Sequence, residues 1–146
     1  MTLDWLVCYY AGALELPFPV LRSLLTHGLP IEQVQLDGRI ELHVFGQPHC
    51  PYGPAGIWTN GTKYWFRNGQ LHHDNGPAVE AANGYKAWYR NAQRHRDDGP
   101  AFEWPDGTKE WYRDDQQHRD NGPAVERPNG TTEYWRNGVR YWPQQK

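Results

Sequence analysis

HRDDGPAFEWPDGTKEWYRDDQQ (residues 95–117) is followed directly by HRDNGPAVERPNGTTEYWRNGVR (residues 118–140), and the two read as one text written twice. The Gly-Pro-Ala element that anchors them recurs at Gly53, Gly76, Gly99 and Gly122, 23 residues apart each time. Histidines return in step at His49, His72, His95 and His118, and second glycines at Gly61, Gly84, Gly107 and Gly130. An aromatic pair followed by arginine keeps the same beat: Trp65-Phe66-Arg67, Trp88-Tyr89-Arg90, Trp111-Tyr112-Arg113 and Tyr134-Trp135-Arg136. A period of this size marks a repeat architecture in which each unit buries its apolar face only against its neighbours.

Within a unit the turn signals are dense. Asn121-Gly122, Asn129-Gly130 and Asn137-Gly138 supply the positive backbone dihedrals that tight hairpin turns need. The segments between them, such as Lys109-Glu110-Trp111-Tyr112, are too short and too often interrupted by Gly or Pro to carry a helix. The expected fold is therefore an all-β repeat: an elongated antiparallel sheet of successive β-hairpins, with roughly two strands and two turns per unit. Two strands advance the array by about 10 Å per repeat. Units are expected near 37–59, 60–82, 83–105 and 106–128, with a C-terminal cap over 129–146. The first is degraded, since Leu42 and His43 replace the aromatic pair. In the cap, Trp135 falls one place out of register, and Tyr141-Trp142 stand where His and Arg are due. Residues 1–36 are of another kind. Pro17 and Pro19, the apolar spacing through Leu25, and Gly28 followed by Pro30 predict one short helix over residues 16–27, in an N-terminal cap.

The units resemble the MORN-like repeats of the variant type, with the consensus W-Y-x-N-G-x-x-H-R-x-D-G-P-A, found in bacterial, phage and giant-virus proteins. The resemblance covers about 70% of the chain. It implies an elongated sheet of hairpins serving as an interaction surface, with an inhibitor or adaptor of a bacterial host as one role. Fold alone does not fix function. Stacked-hairpin, Trp-rich readers of choline and glycans share the Tyr, Trp and Asn-Gly texture but lack the His-Arg-x-Asp-Gly-Pro-Ala corner.

Composition excludes several classes. Residues 49–146 carry 13 Lys or Arg against 12 Asp or Glu, and residues 1–48 carry 2 against 5. Neither part has the basic footprint that phosphate neutralisation requires, so nucleic acid is not expected as a partner. No apolar run approaches the ~20 residues of a membrane span. The start, with Asp4 ahead of its apolar stretch, does not read as a secretory signal, and a cytoplasmic protein is expected. Cys8 and Cys50 form neither a disulfide framework nor a zinc pattern and are read as reduced, structural thiols.

The histidine column invites a metal reading, but equivalent atoms about 10 Å apart cannot share an ion whose ligands lie about 2 Å from one centre. Structural histidines, no metal and no cofactor are expected. Asp74, Asp97 and Asp120, each two residues before the repeat glycine, are read as Asx-turn residues. Arg67, Arg90, Arg113 and Arg136 are expected to stack on neighbouring rings or pair with Glu80, Glu103 and Glu126. Alternatively, with exposed rings they would grip an anionic aromatic ligand such as a nucleotide. Trp58 and Trp104 occupy a position held by Ala81 and Arg127 in other units. A large ring not demanded at every repeat points to binding, and these two, with Tyr52 and Trp142, are the candidate anchors.

The expected function is a non-enzymatic binding protein presenting aromatic and arginine side chains to a protein partner, with a homodimer through an exposed terminal strand also open. The alternatives are a receptor or sequestering protein for a nucleotide or a sugar- or choline-like ligand, and an enzyme built on the unrepeated Asp4, Cys8, His27, His43 and Cys50, which show no recognisable spacing.

Overall fold

The computed structural model describes residues 31–44, 46–50 and 53–143, and across them the chain is all β. The expected helix over 16–27, together with Asp4, Cys8, His27 and Tyr52, lies outside the described residues. Among those described, no helix is long and apolar enough to cross a membrane.

One long antiparallel sheet runs through every unit. Its path begins with Ile31–Leu36 and Arg39–Val44, a hairpin in six-residue register, so residues 31–36 belong to the sheet. It continues through Gly56–Trp58, Lys63–Tyr64, Val79–Glu80, Lys86–Ala87, Phe102–Glu103, Lys109–Glu110 and Val125–Glu126 to Thr132–Arg136 and Val139–Tyr141. Four of the sheet hairpins close through three-residue loops ending in Gly61, Gly84, Gly107 or Gly130, at φ 81 to 92°. There the side chains of Asn60, Asn83, Asp106 and Asn129 accept the N–H two residues on. The Asx turns thus sit at these loops and not at the Asp74, Asp97 and Asp120 corners.

The three units over 60–128 each contain four short strands where the sequence suggested two. After Lys86–Ala87 the chain bends at Trp88 into a second hairpin, Tyr89–Arg90 with Gln93–Arg94; Phe66–Arg67 with Gln70–Leu71 and Tyr112–Arg113 with Gln116–Gln117 do the same. The hinge tryptophan keeps both backbone groups occupied. Trp88 N–H donates to Ala101 O at 2.8 Å, and its carbonyl accepts from His95 N–H at 3.2 Å; Trp65 and Trp111 repeat the arrangement. A satisfied hinge lets the ladder split without orphaned polar groups.

Two rows of side chains cross the sheet. On one face Tyr64, Val79, Ala87, Phe102, Glu110 and Val125 are successive register partners. Val79, Ala87 and Phe102 form the core with Ala101 and Tyr112, and Tyr64, Leu71, Tyr85 and Tyr89 pack on it. Small Ala87 beside large Phe102 leaves room for the Tyr89 and Tyr112 rings, which meet Phe102 edge-on at 6.0 and 5.3 Å. On the other face Lys63, Glu80, Lys86, Glu103, Lys109 and Glu126 alternate in sign, strand by strand. Opposed charges in register contribute roughly 0.2–1 kcal/mol per pair and penalise a one-strand slip.

The second hairpins turn on residues in the left-handed region: Asn68 and Gly69, Asn91 and Ala92, Asp114 and Asp115, Asn137 and Gly138. Ala92 and Asp115, both at φ 64°, hold a conformation that costs a side-chain-bearing residue about 1–2 kcal/mol. Ala92→Gly should therefore raise the free energy of unfolding measured in urea, by about 0.5–1 kcal/mol once the freer unfolded chain is counted. Ala101→Leu, at a fully buried corner, should lower it by about 1–3 kcal/mol, while Ala82→Leu on an exposed loop should stay within about 0.5 kcal/mol.

Candidate functional site

The corner His-x-Asp-x-Gly-Pro-Ala is where the suggestive residues gather. His72, His95 and His118 are buried. Their Nε2 atoms donate to Asp74, Asp97 and Asp120 at 2.8, 2.9 and 3.1 Å. Each Nδ1 meets the second-hairpin turn of the next unit, where Asn91, Asp114 or Asn137 brings its backbone nitrogen to 3.1 to 3.2 Å and its side-chain oxygen to 2.7 to 2.8 Å. The histidine column is thus a set of joints between units. Among the described residues no group of three or more His, Cys, Asp or Glu is placed to hold a metal ion.

The arginine row closes the same corner. Arg67 pairs with Asp74, Arg90 with Asp97 at 3.2 Å, and Arg113 with Asp120 at 3.1 Å. Arg136 instead donates to the Asp120 carbonyl. The expected Glu80, Glu103 and Glu126 are not their partners, because the bend at the tryptophan carries these arginines off the sheet to the second hairpin. Glu103 and Glu126 bind Arg96 and Arg119.

Those two arginines form a second column. Arg96 lies 3.9 Å over the Trp88 ring, Arg119 3.8 Å over Trp111, and His73 stacks on Trp65 at 4.9 Å with 8° between planes. Arg96 and Arg119 also donate to the carbonyls of Pro100 and Pro123. Glycine recurs beneath them for a steric reason: a Cβ on Gly99 would meet Arg96 Cζ at 2.8 Å and lift the guanidinium off its ring.

Between successive corners the surface dips. One groove, about 580 Å³, is lined by Asp74, Trp88, Arg90, Arg96, Asp97 and Asp98 among others, and smaller copies lie one unit to either side. Its arginines are already held by carboxylates, which weakens it as a phosphate grip.

The unrepeated aromatic candidates separate. Trp142 is 74% exposed and Trp104 43%. Trp58 is half-buried against Tyr64, with Arg39 5.2 Å over its ring. Trp104 has a companion the sequence reading passed over: Tyr85, with ring centroids 4.6 Å apart. The signal was present, since Thr62, Thr108 and Thr131 hold the Tyr85 position in the other units. Glu110, also missed, accepts from Trp104 Nε1 at 3.2 Å and from the Tyr112 hydroxyl at 3.3 Å. Burial pushes the Tyr85 hydroxyl well above its usual range, with the nearby Tyr89 and Glu110 adding to the shift. Of the unrepeated residues weighed for catalysis, His43 is bound to Glu41 at 2.8 Å and Cys50 is buried.

No protein-family model matches the chain, and no curated protein matches it.

The corner carboxylates sit below their usual range. His72, then Arg67, lowers Asp74; His95 lowers Asp97, with Arg90 adding attraction; Arg113, then His118, lowers Asp120. A carboxylate depressed in the folded state contributes stability that is complete above the ordinary carboxylate range and is lost as pH falls through the folded value. The urea midpoint should therefore decline below about pH 4. Asp97→Asn should flatten part of that decline and cost under about 1 kcal/mol at neutral pH, since the ion pair faces solvent.

Proposed function

We propose that this chain is a MORN-like hairpin-repeat protein with a non-enzymatic role, a stiff display surface that binds a protein partner. One observation carries the reading. The repeated polar residues are spent on one another in the same register in successive units, as in His95-Asp97-Arg90 and His118-Asp120-Arg113. The exposed large rings, Trp104 and Trp142, break the period. Catalysis brings different groups to one pocket, whereas a repeated, mutually neutralised set is scaffold. A ring held on a rigid sheet binds with little ordering cost, which is how a few exposed aromatics come to dominate an interface.

The nucleotide-like reading draws on the 580 Å³ groove, whose size suits a small ligand. Asp97 and Asp98 at its rim oppose a phosphate, so the partner reading is preferred.

The test is capture from native-host extract with the wild-type chain and with Trp104→Ala and Trp142→Ala, both of which should remain folded. The expected result is a stoichiometric protein, lost or weakened by about tenfold with one of the two substitutions. A small molecule released on heating with no protein retained would replace this reading with ligand sequestration. Recovery of the chain itself, confirmed by light scattering, would make the partner a second copy.

A further inference from the structure

Ring, carboxylate and guanidinium recur together across this molecule. Trp88 has Arg96 over it, and Arg96 is paired with Glu103; Trp111 has Arg119, paired with Glu126. Trp58 has Arg39 across the strand, paired with Glu41 at 2.7 Å. Trp135 donates to Glu133, which binds Arg127 at 2.7 Å, and Arg140 lies 6.0 Å from its ring. Trp65 and Trp142 are covered as well, by His73 and Arg140.

Trp104 is different. It has the carboxylate, Glu110, at its indole N–H, but no described guanidinium, ammonium or imidazole lies over its ring. Continuing the register of Lys86 with Glu103 puts Tyr85 across from Trp104, where Arg39 stands for Trp58. The cation's place is taken by a second ring, tilted 46° to the first. Two partly exposed rings and an adjacent carboxylate attract a cation through the ring quadrupoles and the charge.

We propose that the Trp104-Tyr85-Glu110 patch is a docking site for an arginine side chain of a protein partner, which supplies the guanidinium missing from this triad. Arginine is favoured over a neutral ring or sugar because, among the described tryptophans, Trp58, Trp88, Trp111, Trp135 and Trp142 each have an arginine at the ring. The site rests on the protein-partner reading and names the chemistry of its contact.

The probe is a blocked Gly-Arg-Gly-Arg-Gly peptide titrated to about 10 mM against the 15N-labelled full chain, with the citrulline peptide of the same length as neutral control. Trp104→Phe identifies the Trp104 indole N–H signal. The expected result is a saturable movement of that signal beyond any other indole, with the citrulline peptide nearly silent. Trp104→Leu should weaken peptide binding about 5- to 30-fold, and Glu110→Gln should weaken it in the same direction. No selective movement, or equal movement with citrulline, overturns the site. If a captured partner binds Trp104→Leu as tightly as wild type and the peptide leaves the signal still, the site fails while the partner reading stands. A signal that follows the arginine peptide in a chain that captures no protein keeps the site and overturns the partner reading.

Discussion

The bond from each buried corner histidine to the next unit is the constraint on which the array depends. His95 Nδ1 is met by the backbone nitrogen and the carboxylate of Asp114, 19 residues ahead, at 3.2 and 2.8 Å, while its Nε2 is fixed by Asp97. A buried polar group deprived of a partner costs about 1–3 kcal/mol, so both ends of the ring have to be met together. The N–H points at the histidine when Asp114 turns left-handed, at φ 48°. That turn closes the hairpin Tyr112–Arg113 with Gln116–Gln117, and the hairpin sets Tyr112 against Phe102. Histidine geometry, turn strain and core packing are thus one linked arrangement repeated along a line, and a fault in one unit is felt first by its neighbours.

Much of this was legible in the chain. The 23-residue period with Asn-Gly and Asp-Gly at fixed offsets gave the antiparallel hairpins, because those dipeptides report backbone conformation directly. Other features were hidden for physical reasons. Two-residue strands lack the length to show a period of two, so the split at Trp65, Trp88 and Trp111 looked like one strand through the aromatic pair. The turns at Asn91-Ala92 and Asp114-Asp115 lack glycine; the ladder imposes their dihedrals against local preference. The Asp97 corner resembled an Asx turn because aspartate before Gly-Pro usually is one. Here a buried histidine two residues back and an arginine seven residues back compete for its oxygens more strongly than a backbone N–H. That contest is decided in three dimensions. Trp104 breaks the period in the sequence, and the same rule applied to Tyr85 would have named the ring beside it.

The division of labour follows from the charges. Arginine and aspartate are abundant, yet they close on each other in the same units, and on the opposite face Lys63 to Glu126 alternate in sign. The described surface lacks the broad single-sign field that steers nucleic acid or an anionic bilayer. On the proposed partner reading, recognition falls to local features with shape, and the exposed rings are the largest of these.

Where such features can arise is itself constrained. The row through Tyr64, Val79, Ala87 and Phe102 is close-packed, and a change of volume at one member disturbs the others. The next row toward the three-residue loops, with Trp58, Ala81, Tyr85, Trp104, Thr108 and Arg127, lies at the rim, where side chains other than the buried Thr62 meet solvent on one side. There Trp, Ala and Arg exchange at one position, and Thr and Tyr at another, while the hydrogen-bonded ladder and the glycine loops stay the same. The rim can therefore diverge without loss of the fold. In the described part of the chain it is at the rim, between the second and third Gly-Pro-Ala units, that two large rings meet beside a carboxylate. The fold holds in units that carry Ala81 or Arg127 in place of Trp104; Tyr85 packs on the core as well, and it is the exposed Trp104 whose purpose is to be sought outside the fold.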